Sequence, residues 1–223
     1  MLKRKRNVAE QIVAIDFIGM VNQKEHWEKI YSTKQPNEVS WFQTYPKTSM
    51  EFVSIFKLDK TAKVIDIGGG DSNLVDSLLE SGFTNITVLD ISAIAIERAK
   101  KRLGGKAESV KWIVSDVAEF IPTEQYDFWH DRAAFHFLTS EKAADKYVSI
   151  AENGIAPNGF LVLGTFSESG PEKCSALDVN QYSEKSMSDK FEREFKRIKC
   201  VKEDHITPFN TTQNFLFCCF QKK

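Results

Sequence analysis

From residue 62 onward the apolar positions switch repeatedly between two spacings. "AKVIDIG" is a short continuous apolar run, and "NLVDSLLESG" repeats every three to four residues until Gly82. "NITVLDI" and "VKWIVSD" read as further strands, separated by "SAIAIERAKKRLGG", a helix with Ser92 as N-cap and glycines at its end. "YDFWHD" is a fourth strand, "TSEKAADKYVSIAENGI" a long helix stopped before Pro157, and "GFLVLGTF" a fifth strand. Strands separated by helices of this length predict an α/β fold with a parallel sheet covered on both faces. The C-terminus breaks the alternation. "REFKRIKCVKEDHIT" and "TTQNFLFCCFQKK" have only "PFN" between them, so they predict an antiparallel hairpin. The last run is apolar on both faces and belongs inside the sheet, whereas the charged penultimate run belongs at an edge.

Composition adds bounds to this pattern. The 223 residues carry a formal net charge of −1, which gives no electrostatic reason to bind nucleic acid or an anionic membrane. No apolar run approaches the length of a bilayer span. The leader "MLKRKRNVAEQIVAIDFIGM" starts as a signal peptide would, but Glu10, Gln11 and Asp16 interrupt its apolar stretch and no small-residue cleavage site follows. It reads as a solvated extension, with Met20 an alternative start. Residues 1–45 are expected to form an extension that caps the ligand, and residues 46–223 one domain. Cys174, Cys200, Cys218 and Cys219 lack metal-ligand spacing and read as buried free thiols in a cytoplasmic protein.

The chemistry begins at "VIDIGGGDSN", where a strand ends in Asp66 and a glycine turn follows. A dinucleotide fingerprint starting at Gly68 needs glycine at position 73, which is asparagine, and Asp66 would repel a pyrophosphate. The P-loop is excluded because no G-K-[ST] follows. The ligand is expected to be nucleoside-like, without phosphate and with positive charge. S-adenosylmethionine fits, and Asp66, Gly68, Gly69 and Gly70 resemble the first motif of class I, seven-strand S-adenosylmethionine-dependent methyltransferases, with Ser72 replacing the last glycine. The resemblance implies a doubly wound, mostly parallel seven-strand sheet in the order 3-2-1-4-5-7-6. It also implies that Asp90, followed by Ile91, holds the ribose hydroxyls and that Asp116 and Val117 hold the adenine. Helix N-capping is the competing role for each aspartate. "HWEKIYSTKQPNEVSWFQTYP" resembles the approach segment of several branches, protein-lysine methyltransferases among them. That likeness sets Trp27, Tyr31 and Trp41 over S-adenosylmethionine and its product S-adenosylhomocysteine.

The methyl acceptor belongs beyond the fourth and fifth strands. No (D/N)PPY follows the fourth strand, which disfavours adenine- or glutamine-amino acceptors. "W-x-D-R" resembles thiopurine and related small-molecule methyltransferases. Asp131 is expected near the cofactor's ammonium or as an orienter of the acceptor, with N-capping its competing role. Arg132 is a candidate to pair with a carboxylate, either in the substrate or in the protein. His136 and His205 are the candidate general bases, against ordinary structural histidines. The long segment "TFSESGPEKCSALDVNQY" is expected to be a substrate lid. The sequence thus reads as a methyltransferase for a small-molecule acceptor. Its alternatives are a protein-lysine methyltransferase and a cofactor-binding module without turnover.

Overall fold

The computed structural model describes residues 23–223, so the basic leader and Met20 lie outside the described residues. Helix α1 occupies residues 23–33, and a leader with one 3-10 turn leads to α2 (Lys47–Ile55). The parallel set follows as β1 (Val64–Ile67), α3 (Leu74–Glu80), β2 (Ile86–Asp90), α4 (Ala93–Leu103), β3 (Val110–Val114) and β4 (Tyr126–Arg132). Next come α5 (Glu141–Gly154), β5 (Ile155–Phe166), the two-residue ribbons β6 (Lys173–Cys174) and β7 (Leu177–Asp178), and α6 (Glu184–Phe191). The chain ends with β8 (Phe195–Ile206) and β9 (Thr212–Lys222).

The seven-stranded sheet runs β3-β2-β1-β4-β5-β9-β8, with β9 antiparallel to both neighbours. Allowing for the β6–β7 ribbon, this is the expected order, with the last strand inside and the charged one at the edge. The physical cause is burial. Leu216, Cys218 and Phe220 enter the core beneath α5 and α6, while Phe215, Phe217 and Cys219 enter the opposite core, with Phe52, Leu74 and Leu78. A strand that fills both cores cannot sit at an edge, since each such side chain contributes about 1.5–3 kcal/mol only when fully covered. Lys196, Lys199 and Lys202 keep β8 exposed, and charges along a free edge discourage further strand pairing.

Two features depart from the sequence pattern. Helix α6 has a Ser183–Ser186 capping box but buries only Met187 and Phe191, too few apolar positions to announce a helix. The cysteine expectation is corrected: Cys200 and Cys218 form a disulfide, leaving Cys174 and Cys219 free and buried. The β8–β9 register sets Cys200 directly opposite Cys218 with Cα atoms 4.1 Å apart, a proximity that linear spacing does not reveal.

Candidate active site

Asp66, Asp90 and Arg132 lie at the ends of parallel strands and Asp116 just beyond β3, so the topology gathers them along the sheet's carboxyl edge. A cavity of about 740 Å³ opens there. Asp90, Ile91, Asp116 and Val117 line it together with Trp27, Trp41, Phe137 and Cys174. A second recess of about 610 Å³ contains Asp66, Gly68, Gly69 and Ser72. Tyr31, Trp41, Gly68 and Arg132 line both, making the two recesses neighbours across these residues.

The glycine turn is built by close approaches. Gly68 has φ +67° and donates its N–H to Leu89 O at 2.8 Å. A Cβ on Gly69 would lie 2.2 Å from Asp66 Oδ2, so any larger residue would displace that carboxylate. Asp66 Oδ1 meets His130 Nδ1 at 2.7 Å, and His130 Nε2 meets Ser49 Oγ at 2.8 Å. Asp66 Oδ2 is buried without a partner. Oriented on one oxygen and free on the other, this carboxylate could hold a cationic ligand group.

Asp90 Oδ2 accepts from Gly70 N–H at 2.9 Å and Oδ1 from Ser92 N–H at 2.8 Å. These bonds fix the carboxylate and leave each oxygen a second lone pair for a hydroxyl. Burial nevertheless pushes its pKa up to about 6. Asp116 Oδ1 caps the next turn through Ala118 N–H at 2.8 Å, and burial raises its pKa too. The capping role foreseen for Asp116 is therefore present at a residue that also lines the cavity.

Helix α1 is docked by a residue outside the sequence motifs. Glu28 accepts from Ser92 Oγ (2.7 Å), Ala93 N–H (2.9 Å) and Ile94 N–H (3.2 Å) at the start of α4. Arg98 on α4 reaches back to Tyr31 O and Lys34 O at 3.0 and 2.8 Å. Thus held, Trp27 packs edge-on against Trp41 and Phe137, with ring centroids 5.6 and 5.0 Å apart. Nothing in the sequence spacing marks Glu28 or Arg98, because their partners lie more than 60 residues away.

The acceptor-side candidates divide. Asp131 is fully buried and lines neither recess. It accepts from the Ala134 and Phe135 N–H groups and from Tyr147 OH, pinning the turn that forms the cavity wall. His136 and His205 are also absent from both linings. His136 Nδ1 accepts from Phe166 N–H at 3.3 Å, and burial, with Arg132 nearby, pushes its pKa down to about 3. His205 Nε2 donates to Ser40 O at 2.7 Å, and burial lowers its pKa. The lowered pKa values keep both rings neutral near pH 7, each with one hydrogen bond to backbone, and His136 Nε2 is buried without a partner. Cys174 brings the segment after β5 to the cavity wall, its thiol pushed up to about 11 by burial.

Comparisons with known proteins bear on the family and the fold. A methyltransferase-domain family matches residues 65–161. Mouse EEF1A lysine methyltransferase 2 is 30% identical over 172 residues, covering 67% of this chain and 68% of that protein. A malonyl-[acyl-carrier protein] O-methyltransferase of Ilyobacter polytropus is 25% identical over 111 residues, covering 49% of this chain and 41% of the relative. The chain spans from 13% to 68% of the length of the curated relatives it matches. The crystal structure of an S-adenosylmethionine-dependent methyltransferase from Anabaena variabilis aligns with TM-score 0.71 at 12% identity, over 92% of this chain and 95% of the other. The matched segment, residues 65–161, holds Asp66, Asp90 and Asp116. On fold and sequence together, the chain belongs to the class I S-adenosylmethionine-dependent methyltransferases.

Proposed function

We propose that this protein transfers a methyl group from S-adenosylmethionine to a small-molecule nucleophile enclosed beneath α1 and the leader. One observation carries the reading: the cavity lined by Asp90 and Asp116 is also walled by the apolar groups Trp27, Trp41 and Phe137, with Cys174. Methyl transfer needs alignment at near-attack distance and exclusion of water, and an apolar wall favours the second. When bound, the cofactor supplies a sulfonium-activated methyl carbon. Asp90 accepts the ribose hydroxyls, and Asp116 with the Val117 amide holds the adenine. Asp66 and the Gly68–Gly70 turn receive the amino-acid end, while Tyr31 and Trp41 close over it. Asp131 orients the Ala134 turn rather than touching a ligand. Neither His136 nor His205 reaches the cavity wall, so neither is positioned as the acceptor's general base, and an acceptor that enters as an anion needs none.

A protein-lysine acceptor is the second reading, supported by the likeness to mouse EEF1A lysine methyltransferase 2 across two thirds of each chain. Incubation with methyl-labelled cofactor and a cell extract separates the two. Label is expected in the low-molecular-mass fraction with wild-type protein and not with Asp90→Ala. Label confined to a protein band overturns the small-molecule reading. No helix among the described residues is long and apolar enough to cross a membrane. A cytoplasmic site, expected from four free thiols, loses that support now that two are paired.

A further inference from the structure

Arg132 ends β4 at the boundary between the two recesses and lines both. Its guanidinium carbon lies 4.6 Å from the centre of the Phe215 ring. Nη1 donates to Trp41 O at 3.0 Å. Nε and Nη2 are shielded from solvent and have no acceptor. No carboxylate among the described residues lies within ion-pair distance of this group. Glu203 and Asp66 act on it only through space; Glu203 Oε1 is engaged by Gln43 Nε2 at 3.0 Å, and its Oε2, like Asp66 Oδ2, is buried without a hydrogen-bond partner.

The distribution of partners on this guanidinium is informative. The Nε–H and one N–H of Nη2 point in parallel from a single edge of the planar group, at the spacing of two carboxylate oxygens. One complete binding edge is therefore unpaired, while the opposite nitrogen is tethered and Phe215 flanks the group. A buried cation with two unpaired donors is costly to fold, so the unpaired edge calls for a partner. Burial lowers its pKa to about 10, so it stays charged at neutral pH. Glu203 and Asp66 offset part of its positive charge, and their repulsion works against a doubly charged phosphate more than against a monoanion.

We infer that Arg132 is the carboxylate receptor of this site, gripping a carboxylate edge-on through Nε and Nη2. The inference rests on the cavity being the methyl-transfer site. Two sources supply that chemistry: a carboxylate on the acceptor, or the amino-acid carboxylate of the cofactor. The first makes Arg132 a determinant of acceptor class, and the second makes it a cofactor anchor.

The test uses wild type, Arg132→Lys, which keeps a cation without the fork, and Arg132→Gln. Calorimetry measures binding of S-adenosylhomocysteine and of 5′-methylthioadenosine, which shares the nucleoside but lacks the amino-acid tail. In parallel, the Arg132 Nε–H signal, assigned by its loss in Arg132→Lys, is followed by NMR in wild type, so the result survives poor folding of Arg132→Gln. A tenfold or greater loss of S-adenosylhomocysteine affinity in the variants, with 5′-methylthioadenosine unchanged, supports the cofactor source. In that case only the tailed ligand shifts the wild-type signal. Unchanged S-adenosylhomocysteine affinity, with malonate shifting the Nε–H signal of the wild-type complex, supports the acceptor source. If both affinities hold within twofold and neither S-adenosylhomocysteine nor malonate moves the signal, the inference is overturned. Failure of wild type to bind S-adenosylhomocysteine at all overturns the proposed function instead.

Discussion

At Asp90 one side chain combines two jobs that are usually separate. Its oxygens brace the glycine turn through Gly70 and the start of α4 through Ser92, yet they also face the cavity. Sequence reasoning expects Asp90→Asn to be milder than Asp90→Ala, because an amide oxygen still accepts. The two backbone donors change that expectation: one oxygen becomes an NH₂ aimed at an N–H. Asp90→Ala should weaken S-adenosylhomocysteine binding by about 1–3 kcal/mol, and Asp90→Asn should be no milder. Calorimetry on both folded variants decides it, and unchanged affinity in Asp90→Ala would mean that Asp90 only braces the turn. Gly69→Ala should also weaken binding, since its Cβ cannot coexist with Asp66 Oδ2 in the present position.

Among the elements, α1 contributes most to the cavity and is held by few bonds. Glu28 at the start of α4 does what an N-cap does, since it neutralises free backbone N–H groups with a carboxylate at the positive end of a helix. Losing it should cost α1 docking about 1–2 kcal/mol, the scale of a cap. Glu28→Ala should speed proteolysis between α1 and α2 and weaken S-adenosylhomocysteine binding, while the thermal transition of the domain stays sharp. Cleavage at the wild-type rate would make the Glu28 contacts incidental. The strands were legible in advance because two-sided burial leaves continuous apolar runs. The α1–α4 dock was not, because it joins polar groups far apart in sequence.

For the whole molecule, buried titrating groups pull stability in opposite directions with pH. Burial raises the pKa of Asp90 and Asp131 to about 6 in the folded protein. A raised carboxyl pKa contributes stability that is full below about pH 4 and lost as pH rises through about 6. His136, lowered to about 3, contributes stability that is full above about 6.5 and lost as pH falls. The upward shifts at Asp71 and Asp116 join the first group, and the lowered His205 joins the second. Between pH 4 and 6 these slopes oppose each other in the ligand-free protein. His136→Gln removes one of them, so from pH 4 to 6 the variant should lose about 2 kcal/mol more stability than wild type. Urea unfolding at pH 4, 5 and 6 measures this, and parallel profiles would show that His136 does not titrate between the folded and unfolded states.

The alternation of strands and helices, the glycine turn with Asp66 and the insertion of the last strand are all written in the order of residues along the chain. Each follows from local periodicity or from the two-sided apolarity of one segment. The same order determined which carboxylates meet at the sheet edge, because parallel strands with helical crossovers bring their carboxyl ends together. What those residues touch was set by the folded packing. Register placed Cys200 opposite Cys218, and packing withdrew Asp131, His136 and His205 from the cavity wall. Docking of α1 onto α4 brought Glu28 and Tyr31 to bear on the site. These outcomes depend on distances between groups remote in the chain, and a side chain's type and spacing do not specify whether its polar atoms face a neighbour or a cavity.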